Sequence, residues 1–165
     1  MTERNDGPAR PDRGPGGDRS DDWTDYRAGS PDTPDDPRET AYALLQRGKA
    51  LLHRRHHAQA AIVLERAARL EPGKGSILEA LGRAYYNSGQ HERSAEVFSR
   101  LLEVDPSAPY AHFGLGQSLK RLGRAREART HLRLAVALAP SSALYRGALA
   151  RLGPVGDEAT EREEG

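Results

Sequence analysis

A chain of 165 residues, 36% hydrophobic and 30% charged, has room for one ordinary domain, provided its apolar residues are concentrated in part of its length. It contains no cysteine, which excludes a disulfide framework, thiolate metal sites and thiol catalysis. The net charge of +1 conceals a partition: residues 1–40 carry −5, residues 41–152 carry +10 and residues 153–165 carry −4, with 22 Arg against 3 Lys overall.

Residues 1–40 are dominated by Pro, Gly, Asp and Arg and hold no Leu, Ile, Val or Phe. Nothing there offsets the entropy of ordering, so an acidic disordered tail is expected. MTERNDGPAR lacks the apolar stretch of a secretory leader and no run reaches the length of a membrane span, so the expected compartment is the cytoplasm. From residue 41 the spacing becomes helical. Tyr42, Leu44, Leu45, Gly48, Leu51 and Leu52 form one apolar face, and Ala60, Ala61, Val63, Leu64, Ala67, Ala68 and Leu70 form the next. Glu71-Pro72-Gly73 ends that second helix, because proline cannot continue the hydrogen-bond ladder. EALGRAYYNSGQHERSAEVF (79–98) reads as helix on both sides of a break at Asn87-Ser88-Gly89. After Pro140, Ser141-Ser142 can cap one further helix, ALYRGALARL, with Leu144, Leu149 and Leu152 on its apolar side and Gly153-Pro154 as its stop. GPVGDEATEREEG has the character of the first forty residues and is expected to be a second disordered acidic tail. No alternating β-branched run occurs, so the domain is expected to be all-α, with about seven helices over 41–152.

Three features repeat at one interval. Pro72, Pro106 and Pro140 stand 34 residues apart, Leu81-Gly82 returns as Leu115-Gly116, and Gly89 returns as Gly123. Two helices per unit repeated at this period is the signature of a helical solenoid. At these residues the chain resembles the tetratricopeptide repeat family. The second unit (75–108) supplies Leu78, Leu81-Gly82, Tyr85, Ser94, Phe98 and Pro106. The third (109–142) supplies His112, Leu115-Gly116, Leu119, Ala128, Leu132, Ala135 and Pro140. The first (41–74) supplies Leu44, Gly48, Leu51, Ala60, Leu64, Ala67 and Pro72, and departs from the pattern at Arg47 and Arg55, where the family carries Leu and a turn Gly. Residues 143–152 would cap the last unit. Each slot has a physical reason: Gly82 and Ser94 let two helices approach, Tyr85 and Phe98 fill the space between them, and Gly89 and Gly123 suit turns of positive φ.

HRRHH sets His53, His56 and His57 at a metal-like spacing, but it falls in an inter-helix turn with no neighbouring carboxylate, so no metal is expected. Glu92 and Glu96 are an i, i+4 pair on a solvated face, and no nucleophile, base and orienting group converge, so neither catalysis nor a cofactor is expected. KRLGRAREAR (120–129) raises an alternative, a nucleic-acid-associated protein that uses its Arg-rich surface, though no recognised nucleic-acid motif accompanies it.

The resemblance implies a non-catalytic interaction module whose concave face docks a segment of another protein. The stripe expected to line that groove is Tyr42, Leu45, Lys49, Leu52 and His53; then Arg83, Tyr86 and Asn87; then Tyr110, Phe113, Gln117, Lys120 and Arg121. Aromatic rings beside cations suit an extended acidic peptide with an apolar anchor. Some family members grip a terminal carboxylate through Lys and Asn, but Leu45 and Ala80 stand in those places here, so that specificity is not expected. The acidic N-terminal segment around Trp23 and Tyr26 has two readings, a tail that keeps an Arg-rich domain soluble and one that visits the basic groove and competes with the partner, and nothing in the sequence sets an oligomeric state. A chain trimmed to residues 39–153 is expected to keep its full helical circular-dichroism signal and a cooperative melt; loss of cooperative unfolding on removing residues 1–38 would refute the disorder of that segment.

Overall fold

The Thr40 hydroxyl accepts the Ala43 amide at 3.1 Å and so opens the first helix, satisfying one of the donors every helix start leaves unpaired. The structure, a computed structural model, describes residues 39–154. Within them run α1 (Ala41–His53), α2 (His57–Leu70), α3 (Gly75–Asn87), α4 (His91–Val104), α5 (Pro109–Arg121), α6 (Ala125–Leu138) and α7 (Ala143–Ala150), with no strand among the described residues. The all-α reading with seven helices holds. The two expected acidic tails, Trp23 and Tyr26 included, lie outside the described residues apart from their inner ends at 39–40 and 153–154.

Helices pair as α1–α2, α3–α4 and α5–α6, and a repeated close approach holds each pair together. A Cβ on Gly82 would stand 2.7 Å from Phe98 Cζ, and one on Gly116 would stand 2.8 Å from Leu132 Cγ and 3.1 Å from the Ala128 carbonyl. Gly48 meets Leu64 in the same way in the first pair. Phe98 is also gripped from the next unit, because a Cβ on Gly114 would lie inside its ring's van der Waals surface. The places equivalent to Gly114 hold Ala80 beyond Leu64 and Ala148 beyond Leu132, both buried. The larger ring is met by a glycine and the smaller leucines by alanines. A buried hydroxyl chain reinforces this junction: Ser94 donates to the Gly82 carbonyl at 2.9 Å, and Ser118 lies 2.9 Å from Ser94 and 2.8 Å from the Gly114 carbonyl.

The turns inside the pairs close alike. The amides of His56, Gln90 and Arg124 reach back to the carbonyls of Leu51, Tyr85 and Leu119 at 2.8–2.9 Å. That closure needs a left-handed residue, supplied by Gly89 (φ 82°) and Gly123 (φ 77°), and in the first pair by Arg55 at φ 64°. The departure seen in the sequence therefore keeps the backbone geometry at a cost of about 1 kcal/mol or more in side-chain strain.

The last helix differs from its expected packing. Ser142 caps it through the Tyr145 amide, but it ends at Ala150, and Ala148 is its buried residue while Leu144 is exposed. Ala148 fills the slot that seals the third pair, while Leu144, one turn earlier in the short helix, stands 53% exposed. The inner helices α1, α3 and α5 touch in succession, whereas the outer helices α2, α4 and α6 make no comparable contact. The stack therefore curves with α1, α3 and α5 on its inner side.

Gly114→Ala is expected to cost about 1–3 kcal/mol in urea unfolding, because the added methyl enters a filled site. Adding Phe98→Leu, which recreates the Leu–Ala pairing of the other units, should leave the double variant more stable than Gly114→Ala alone.

Candidate functional site: the inner face of the helical stack

On the inner side the third unit brings an aromatic patch together. Tyr110 and Phe113 on α5 lie with ring centres 5.8 Å apart, Phe113 lies 5.1 Å from Tyr145 of α7, and Tyr110 lies 6.1 Å from Phe98 of α4. Both α5 rings are half-buried. Burial pushes the Tyr110 phenol up to about 12, with the positive Arg83 drawing it down and Glu79 raising it, so Arg83 and Glu79 both act on this patch. Tyr145 is raised as well, by burial and then by Glu79. Tyr145 was not anticipated in the groove. Its signal was its place, equivalent to the buried Ile77 and Ala111, at the point where one inner helix meets the one before it.

Tyr86 and Arg121 are also brought together: the Arg121 Nε donates to the Tyr86 hydroxyl at 3.3 Å, tying α3 to α5. Lys120 stands exposed beside Arg121 in the last turn of α5, where the negative end of the helix dipole favours cations. Arg83, Asn87, Lys49 and His53 are exposed, and Gln117 is half-buried.

Two expected groove residues do not line it. Leu45 and Leu52 are only 6% and 8% exposed and belong to the core. Leu45 holds the place that Phe113 holds two units later, and Phe113 packs against the next inner helix; that slot faces the following unit rather than solvent. Leu52, in the last turn of α1, joins the same apolar cluster. Tyr42, expected on the apolar face, is instead 70% exposed. Its equivalent Tyr110 packs on Phe98 of the preceding unit, and among the described residues nothing precedes α1 to receive Tyr42.

A second concavity lies on the opposite side. A cavity of about 510 Å³ opens between α2 and α4, lined by Glu65, Arg69, Tyr85, Arg93, Val97 and Arg100 among others. Tyr85 donates to Glu65 at 2.6 Å, Arg93 pairs with Glu65 at 3.1 Å, and the Arg93 guanidinium sits 4.3 Å over the Tyr85 ring. Burial, then the Glu65 carboxylate, hold the Tyr85 phenol well above its usual range. These groups satisfy one another.

His53 ends α1, His56 precedes α2 and His57 opens it; no group of three His, Cys, Asp or Glu able to hold a metal ion occurs among the described residues. The KRLGRAREAR cluster does not form one open basic stripe. Arg121 is bonded to Tyr86, and Arg124 is bonded twice to Glu127 at 2.6 and 2.7 Å. No helix among the described residues is long and apolar enough to cross a membrane.

Residues 79–143 match the model of the tetratricopeptide repeat family. The chain is 31% identical over 87 residues to Superkiller complex protein 3 of Homo sapiens, an alignment covering 53% of this chain and 6% of that protein. It therefore spans a small fraction of the curated relative it matches. Among solved structures, the second TPR domain of human RPAP3 in complex with the HSP70 peptide SGPTIEEVD is similar at a TM-score of 0.66 and 17% identity, covering 69% of this chain and 95% of that one. The Yersinia enterocolitica type III secretion chaperone SycD, in complex with a peptide of the translocator YopD, is similar at 0.59 and 19%, covering 66% and 83%. At such identities the likeness establishes the fold alone.

The buried and exposed members of the stripe separate by mutation. Leu45→Ala is expected to cost about 2–5 kcal/mol of stability in urea unfolding, while Tyr42→Ala should stay within about 0.5 kcal/mol of the parent.

Proposed function

We propose that this tetratricopeptide repeat protein, whose repeats span residues 79–143 and recur in form in the α1–α2 pair, is a non-catalytic adaptor that holds a segment of a partner protein on its inner face. The observation that carries the reading is the pairing on that face of a half-buried aromatic patch, Tyr110, Phe113 and Tyr145, with cations at Arg83, Lys120 and Arg121. Rings of this kind anchor an apolar side chain, and the cations suit carboxylates on either side of it. The occupant is an extended acidic segment with one bulky apolar residue. RPAP3 and SycD, similar in fold, were each solved with a peptide of another protein, which supports a peptide as the class of ligand. A Lys and Asn carboxylate grip is not part of this reading, since Leu45 and Ala80 are both buried.

The reading is tested by cross-linking the full chain to its partner, identifying the segment by mass spectrometry and titrating that segment by calorimetry. Arg83→Glu with Lys120→Glu is expected to weaken the affinity by about tenfold or more at an unchanged melting temperature, and salt should weaken the parent complex. An affinity indifferent to both would refute the inner face as the site.

A further inference from the structure

Within a repeat protein each unit serves as a control for the others, because the fold asks the same of equivalent positions. Where the first inner and outer helices place Leu44 and Val63, and the second pair places Leu78 and Val97, all buried and apolar, the third pair places His112 and His131. The fold does not require imidazoles there.

The two rings form a specific arrangement. Nδ1 of His112 lies 3.1 Å from Nδ1 of His131, and Nε2 of His112 lies 3.0 Å from the Pro106 carbonyl. The ring centres are 5.4 Å apart with the planes inclined by only 23°. That separation is what two rings reach when the facing nitrogens lie on the line between their centres, so the contact is an end-to-end hydrogen bond and not a face-to-face stack. The proton positions then follow by elimination. A carbonyl only accepts, so His112 carries its hydrogen on Nε2 and offers the Nδ1 lone pair. His131 must donate from Nδ1, which leaves its own Nε2 as the site for an added proton.

We propose that the His112–His131 hydrogen bond is a proton-sensitive latch on the third helical pair, closed when both rings are neutral and released by acid. A first proton settles on His131 Nε2 and puts a charge on a ring that is partly buried. A second must go to His112 Nδ1, where two N–H groups would then face each other and the bond is lost. The groups acting on His131 are His112 across the pair and Glu127 one turn earlier on α6, itself held by Arg124; α7 adds no charge to this environment. Burial first, and then His112, hold His131 below the usual imidazole value, while Glu127 draws it upward. A base held low in the folded state is protonated more readily when unfolded, so stability is full at neutral pH and falls as pH drops through the unfolded value of about 6.5. The pair joins α5 to α6, and α5 also carries Tyr110 and Phe113; the effect on partner binding rests on the inner-face reading, but the latch itself does not.

The test compares the full chain with the double variant His112→Leu/His131→Val, which restores the pair used by the other two units. Melting temperatures taken at pH 7 and pH 5 carry the same background from the remaining histidines in both proteins. The parent is expected to lose more melting temperature than the variant between the two pH values, by an amount set by how far His131 is held below the imidazole value. Amide exchange should show protection at acid pH falling first in residues 109–138 of the parent and not in the variant. Equal pH dependence of the two proteins, or acid-induced opening spread evenly over residues 41–150, would overturn the latch. Should the double variant fold poorly, the parent decides alone: carbon-bound ring protons of His131 titrating at the usual imidazole value, or acid opening that does not begin in residues 109–138, overturns the proposal, and a depressed midpoint together with opening that begins there upholds it.

Discussion

Phe98 is the residue on which neighbouring units agree. Its ring fills the space between Gly82 of its own pair and Gly114 of the next, with no room for a methyl on either side. Interiors packed to this density transmit position, so the ring fixes the spacing of α3 and α4 and also the place of α5. The Ser94 and Ser118 hydroxyls beside it add direction to a contact that dispersion alone leaves free to slide. Everything on the inner face of the third unit takes its position from this junction, beginning with Tyr110, which rests on the same ring.

The inner face is thus a by-product of packing as much as a surface. Tyr110 and Phe113 are half-buried because one rests on Phe98 of α4 and the other on Tyr145 of α7, and the same semi-exposure leaves part of each rigid ring open to solvent. The cations around them are of two kinds. Arg121 is already engaged with Tyr86, whereas Lys120 and Arg83 project into solvent. The outer cavity differs in kind, because Glu65, Arg93 and Tyr85 are consumed by one another.

Much of the architecture was legible because close approach makes strict demands: the 34-residue spacing of Pro72, Pro106 and Pro140 and the recurrent Leu-Gly follow from helices that must nearly touch. The facing of individual side chains was less so. Whether Leu45 looks into a groove or into the next unit depends on the angle between units, a property of the junction that no single residue encodes. Tyr42 stands on the apolar face of α1 by spacing yet is exposed, because its slot is defined by a preceding helix that the described residues do not contain. Arg55 announced itself as a departure, yet its left-handed backbone is imposed by the His56 to Leu51 closure rather than by its side chain. His112 stood in a leucine slot in plain sight, but its partner emerges only when two slots from different helices are set in register.

The uneven contact between helices has a mechanical side. The inner helices α1, α3 and α5 already touch in succession, so tightening the curve would press them together. Flattening it instead draws α2 and α4 into the open space between them. The stack is therefore a one-way spring, stiff against further coiling and compliant toward straightening.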